Sequence, residues 1–241
     1  MIPQADIFVN APNRKTGGQL CSRLHSDYLS SIVIDDKENQ MLHFPFTNFP
    51  PYGVKAIAID TELFVKSAPR QVETKSLERY LLGDRFCEIR EVELINQANL
   101  LRSNTPKETA KKIFLWVSTV LKKTGYQKSE RGALWGLRNK EGDCTEFMHL
   151  FIALCRINGI AARGVSGYRV VSDTRLSPSD YHDWAQIFLD GRWQIADPYY
   201  NVFLEKEEEY VAFRVHGPQR EENFFHRWQS SDPRLKVVMT K

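Results

Sequence analysis

Residues 140–167 read KEGDCTEFMHLFIALCRINGIAARGVSG, a glycine turn followed by an apolar helix pattern. Gly142, Asp143 and Cys144 make the turn. Phe147, Met148, Leu150, Phe151, Leu154, Cys155 and Ile157 then recur at helical spacing. The pattern stops at Asn158 and Gly159, where glycine can take the left-handed conformation that closes a helix. Cys144 is thereby set in the first turn of a buried helix. Unpaired N–H groups and the positive end of the dipole there favour thiolate over thiol. A thiolate so placed is an activated nucleophile once a base lies nearby. The alternative is a small apolar residue in a core helix, the reading that fits Cys155.

The base is sought in residues 182–197, HDWAQIFLDGRWQIAD. Asp190 and Gly191 between two alternating runs signal a two-residue type I′ hairpin. Leu189 then faces Arg192, Phe188 faces Trp193, and Trp184 faces Asp197. His182, Trp184, Gln186 and Phe188 share a face with Trp193, Ile195 and Asp197. His182 and Asp197 become diagonal neighbours about 7–8 Å apart at the backbone, within reach for a histidine meeting a carboxylate. The alternative is a half-buried histidine and an aspartate serving the following turn. Both on one face, downstream of a helix-opening cysteine, favour the chemical reading.

Elsewhere the chain is ordinary. It has 241 residues, 42% hydrophobic and 26% charged, as in soluble globular domains. A net charge of +3 with scattered basic residues argues against nucleic acid. The start, MIPQADIFVNAPNRK, lacks the apolar core of a signal peptide, and no run approaches the ~20 residues of a membrane span. The four cysteines, Cys21, Cys87, Cys144 and Cys155, form no CxxC pair, so free thiols in a cytoplasmic setting are expected. Secretion without an N-terminal leader would leave no trace in such a sequence.

Residues up to about 48 read as a loop followed by a hairpin of 31–34 and 41–44, and residues 55–66 as a strand. Residues 77–82 suit a short helix ended by Gly83. The chain is divided into a β-rich N-terminal region, 1–87, packed on a core, 88–241. No Gly/Ser linker joins the two. Within the core, 88–102 reads as a helix. Thr105, Pro106 and Glu108 then signal a capping box for a helix carrying Ala110, Ile113, Phe114, Val117 and Leu121. Trp116, one step off that stripe, reads as packing. Residues 126–140 read as loop, and 161–171 as a strand with Gly164 and Gly167 where side chains would intrude.

Taken together, these residues resemble the transglutaminase-like superfamily, papain-related thiol enzymes, of bacterial type. The resemblance is carried by GDC at 142–144, ALCRINGIAARGVSGY at 153–168, HDW at 182–184 and DGRWQIADP ending at Asp197 and Pro198. It covers roughly residues 95–205, and residues 31–66 faintly resemble the β-rich region preceding this core in some bacterial members. It implies an α+β fold with the nucleophile at a helix N-terminus packed on an antiparallel sheet that carries His and Asp. By resemblance Cys144 is the nucleophile, His182 the general base and acid, and Asp197 the residue that orients the imidazolium. The implied reaction is acyl transfer through a thioester, with the Cys144 N–H and one further donor holding the oxyanion. Tyr126, Trp116 and Trp135 are candidates for that donor. Asp183 departs from the family, which usually has a small apolar residue there. Alternation puts Asp183 on the face opposite Asp197.

Zinc on Cys144, His149, Cys155 and His182 fails on spacing. His149 lies about 140° around the helix from Cys144, and Cys155 about 16 Å along it. Neither an EF-hand loop nor a nucleotide motif occurs, so no cofactor and no metal is expected. The favoured function is cleavage of a peptide or amide bond in a peptide, protein or small amide substrate. Transfer of the acyl group to an amine acceptor, as in a transglutaminase, uses identical groups. A non-enzymatic binding module is the third reading. Aromatic residues at 44–52, 199–203 and 224–228 read as a substrate groove or as packing, the latter preferred.

Overall fold

The computed structural model describes residues 1–16, 18–65, 77–127, 129–217 and 227–240. Five strands open the chain: β1 (Ile2–Ala11), β2 (Gln19–Ser26), β3 (Ser31–Ile34), β4 (Gln40–Phe49) and β5 (Ile59–Val65). Helices α1 (Val92–Leu101) and α2 (Pro106–Val120) follow, then β6 (Lys122–Lys123), α3 (Ala133–Asn139), β7 (Glu141–Gly142) and α4 (Cys144–Ile157). Strands β8 (Ala162–Arg169), β9 (Tyr181–Leu189), β10 (Arg192–Asp197), β11 (Val202–Phe203) and β12 (Tyr210–Val215) come next, and β13 (Trp228–Ser230) is the last.

The α+β architecture matches the expectation. An antiparallel sheet in the order β11-β10-β9-β8-β12 lies against α4, with the other helices packed around it. Every residue of α4 from Thr145 to Arg156 is buried, and its polar members Glu146, His149 and Arg156 are each hydrogen-bonded there. Phe147, Leu150, Phe151 and Leu154 pack with Ile113, Phe114 and Val117 of α2 and with Ala185, Ile187 and Leu189 of β9. Burying a side chain of this size is worth about 1.5–3 kcal/mol, so α4 anchors the core. Arg156 is buried by partnership: it donates to the carbonyls of Ala162 at 3.0 Å and Leu82 at 2.8 Å and to Asp84 Oδ2 at 2.9 Å.

The hairpin of β9 and β10 pairs Leu189 with Arg192, Phe188 with Trp193 and Ala185 with Ala196. Asp190 and Gly191 both have positive φ, 53° and 77°, as a type I′ turn demands. The predicted hairpin of 31–34 and 41–44 also pairs as expected, with Ile32 opposite Leu42. Residues 77–82 make a 3-10 turn, Leu77–Leu81, and the strand read at 55–66 begins at Ile59. Lys66 lies outside the described residues.

Other expectations are corrected. The stretch read as loop before β3 contains β1 and β2. Strand β1 pairs with β4 and with β13, and β2 with β5, so each partner lies far along the chain. Helix α1 starts at Val92 rather than 88, because Glu88 is used elsewhere. Its Oε2 accepts from Ala133 N at 3.1 Å and Leu134 N at 3.2 Å, capping α3 inside the stretch read as loop. A cap supplied from 45 residues away leaves no local signature.

The N-terminal region closes an edge of the central sheet. Strand β12 is the outer strand, and its backbone is met by side-chain amides instead of another strand. Gln19 donates to Ala212 O at 3.0 Å and accepts from Ala212 N at 2.8 Å. Asn39 does the same at Val215, at 2.9 and 2.7 Å. Filling an edge this way satisfies its backbone and blocks further strand addition. At the other end, β13 joins β1, so the first sheet is built from both ends of the chain.

Candidate active site

Cys144 is the first residue of α4, and the turn before it is built for that position. Asp143 caps the helix: its Oδ1 accepts from Thr145 N at 2.9 Å and Thr145 Oγ1 at 2.7 Å, and its Oδ2 from Gln127 N at 2.8 Å. Glu146 completes a reciprocal capping box by accepting from Asp143 N at 3.1 Å. The expected box at Thr105 forms as a single bond from Glu108 N at 3.2 Å. Glu146 is fully buried and also accepts from Arg131 N at 3.0 Å and Arg131 Nη2 at 2.8 Å. Any Cβ at position 142 would lie 2.4 Å from that of Glu146, so the glycine is the space the buried carboxylate occupies. Glu146 was not singled out from sequence, although glutamate three residues after a capping aspartate was the available signal.

Across the sheet, His182 Nε2 lies 2.7 Å from Asp197 Oδ2. Both residues are buried. Asp197 also receives Tyr210 Oη at 2.8 Å on Oδ2, and Tyr199 N at 3.0 Å and Tyr200 N at 3.1 Å on Oδ1. It therefore both meets the histidine and organises the following turn. Burial and the neighbouring Asp197 push the Tyr210 hydroxyl up, so it stays a protonated donor. The rings of Tyr200 and Tyr199 stand 4.6 and 5.6 Å from that of His182, and Trp184 stacks 6.2 Å away. Tyr199 touches Phe147 of α4 as well, at 5.2 Å, and Lys123 Nζ lies 4.6 Å from its ring. One aromatic wall thus borders both the imidazole and the first turn of α4. His182 Nδ1 makes no hydrogen bond to a described residue.

The sulfur itself is turned elsewhere. Cys144 Sγ donates to Asp183 Oδ2 at 3.6 Å, and no hydrogen bond to the His182 ring is formed among the described residues. Consecutive strand residues point to opposite faces. Asp183 is on the face that carries Ala185 and Ile187 against α4, whereas Trp184 belongs to the cluster behind the sheet with Val165 and Tyr210. Alternation does keep Asp183 away from Asp197, and it also delivers Asp183 to the thiol. The expectation of a helix-dipole thiolate is corrected with it. Burial, then the Asp183 and Asp143 carboxylates, push the Cys144 thiol well up.

Trp116 packs against the core, Tyr126 is exposed, and Trp135 lies under the Arg131 guanidinium at 3.7 Å. Cys155 is buried in the core. His149 meets Cys87 Sγ at 3.6 Å through Nδ1 and Glu130 Oε2 at 3.0 Å through Nε2. Of the aromatic stretches, Phe44 and Phe46 are core, Tyr199 and Tyr200 form the wall described, and Phe224 and Phe225 lie outside the described residues.

Residues 96–198 match the model of the transglutaminase-like superfamily. A candidate cysteine protease from Cytophaga hutchinsonii superposes with a TM-score of 0.68 at 17% identity, over 96% of this chain and 84% of that one. The periplasmic domain of TgpA from Pseudomonas aeruginosa follows at 0.46 and 17% identity, over 86% and 76% of the two chains. Only the first is close enough to bear on the fold, and it bears on the fold alone. Among curated proteins, none matches the sequence. The segment that matches the transglutaminase-like superfamily is the one that bears Cys144, His182 and Asp197.

Proposed function

We propose that the protein cleaves peptide or amide bonds by thiol-based acyl transfer, with Cys144 as nucleophile, His182 as base and acid, and Asp197 holding the ring. The observation that carries this is the 2.7 Å bond from His182 Nε2 to Asp197, which leaves Nδ1 as the nitrogen available to a thiol at the start of α4. In the reaction, Nδ1 takes the thiol proton and the sulfur attacks the carbonyl carbon. The oxyanion is met by the Cys144 N–H, unpaired because it belongs to the first helical turn. Nδ1–H then protonates the leaving amine, and water releases the acid from the thioester. Asp197 favours the Nε2–H tautomer and stabilises the imidazolium.

A second reading, a binding module without turnover, draws support from the Cys144 bond to Asp183 and the raised thiol. The two are separated by incubating the protein with a peptide library and an activated ester, with and without added amines. Mass spectrometry then follows Cys144. Acyl-Cys144 that decays to free acid supports hydrolysis, and acyl-amide product supports amine transfer. No adduct on any substrate leaves the binding module.

A further inference from the structure

Asp183 stands where the thiol's bond goes, and it is held there. Its Oδ1 accepts from the Ser166 hydroxyl, which lies directly opposite it in the pairing of β8 and β9. Ser166 has one proton and gives it to the carboxylate, so its 2.7 Å contact with His216 Nε2 is a bond that the histidine donates. Asp183 and Ser166 are both buried, and His216 is half-buried. The Asp183 carboxylate is therefore braced on one oxygen and turned toward Cys144 with the other.

We propose that Asp183 is a positioning residue that keeps Cys144 at rest, holding the neutral thiol on its carboxylate and away from His182, with Ser166 and His216 as the brace. The proposal rests on Cys144 being the nucleophile. Release is a rotation about the cysteine Cα–Cβ bond. The sulfur leaves Oδ2 and meets His182 Nδ1, the S–H bond breaks and an N–H bond forms, giving thiolate and imidazolium with no change in net charge. An uncharged residue at 183 would remove an anion that opposes the thiolate, and with it the stronger, charged acceptor for the thiol proton. The groups facing the sulfur are Asp183 from β9, Asp143 from its own cap, and Tyr199 and Tyr200 from the turn after β10. Asp183 in turn faces Tyr181, which also meets Ser166 and Arg214, the buried cation paired with Ser166 across β12, and through Ser166 it reaches His216. The anions on this list disfavour thiolate, in accord with the raised thiol.

The test is the pH profile of Cys144 alkylation by iodoacetamide, resolved by peptide mass spectrometry, with N-acetylcysteine as reference thiol. In the wild-type protein the midpoint should lie above that of the reference. Asp183→Asn should lower it by about one pH unit or more and raise the rate at pH 7 about ten-fold. Ser166→Ala, which loosens the brace, should move it the same way by less. A wild-type midpoint at or below the reference, or an Asp183→Asn midpoint that stays or rises, would overturn the proposal. Should Asp183→Asn fail to fold, the wild-type profile and Ser166→Ala still decide. Turnover of an activated ester is read in parallel. A lowered midpoint with no turnover in any variant would keep the hold on the thiol and sink the acyl-transfer reading, and turnover with an unmoved profile would do the reverse.

Discussion

Two cysteine–histidine–carboxylate clusters flank α4, and they differ in an instructive way. Cys87, His149 and Glu130 have their bonds made, at 3.6 and 3.0 Å, and both Cys87 and His149 are buried. Cys144, His182 and Asp197 have only the histidine–carboxylate bond made, while Cys144 is partly buried and its sulfur is bonded to Asp183. The cysteine of the complete cluster is the more deeply buried one. A satisfied polar network in the interior is a way of stabilising a core. A nucleophile needs an unspent bond on its base, and in the second cluster His182 Nδ1 has one toward the described residues. Contact geometry alone would select Cys87.

Substitutions sharpen that contrast, the largest effect first. Cys144→Ala should bring ester turnover to background with little change in melting, whereas Cys87→Ala should keep turnover and cost about 1–3 kcal/mol by stranding His149 Nδ1. Denaturant melts beside ester assays check both, and activity lost in Cys87→Ala without unfolding would invert the comparison. His182→Ala should lower turnover by about 10²–10⁴-fold, the range for a general base. His149→Gln should leave the rate of the folded protein unaltered.

Asp197→Asn should reduce turnover less than His182→Ala, since an amide still holds the ring while losing its charge. It should also cost about 1–3 kcal/mol, because one of the acceptor positions used by Tyr210, Tyr199, Tyr200 and His182 becomes a donor. Thermal melts and steady-state rates together separate the two parts. A stable but inactive variant would mean that Asp197 matters through charge alone.

The smallest effect is a pH dependence confined to the buried cluster. Burial alone would lower the His149 pKa, but its bonds to Cys87 and Glu130 lift it to about 10. A folded pKa above the unfolded value means stability that is fully present below about pH 6.5 and lost as pH rises through about 10. The melting-temperature gap between wild type and His149→Gln should narrow across that interval. A gap independent of pH would show a neutral His149 held by packing.

The parts that were legible in the sequence obey local rules. Helix α4 was readable because apolar spacing and the Asn158–Gly159 stop are written along one segment. The His182–Asp197 pair was readable because Asp190 and Gly191 set a register that carries over to their strand partners. Strands β1 and β2 were missed because each is completed by a partner remote in the chain, and α3 because its cap, Glu88, precedes α1. The capping role of Glu146 was legible and overlooked. Its bonds to Arg131 were not, since the 129–131 stretch folds back on α4 only in the assembled core.

By itself the sequence determined the helix that Cys144 opens, the hairpin register and the face shared by His182 and Asp197, since periodicity and turn chemistry act between near neighbours. Tertiary structure alone decided which carboxylate the Cys144 sulfur meets. Alternation puts Asp183 off the His182 face, but only the packing of α4 on β9 brings the sulfur within 3.6 Å of it. Packing likewise supplied Gln19 and Asn39 to the open edge of β12. A hydrogen bond between elements far apart in the chain has no period, so no local pattern records it.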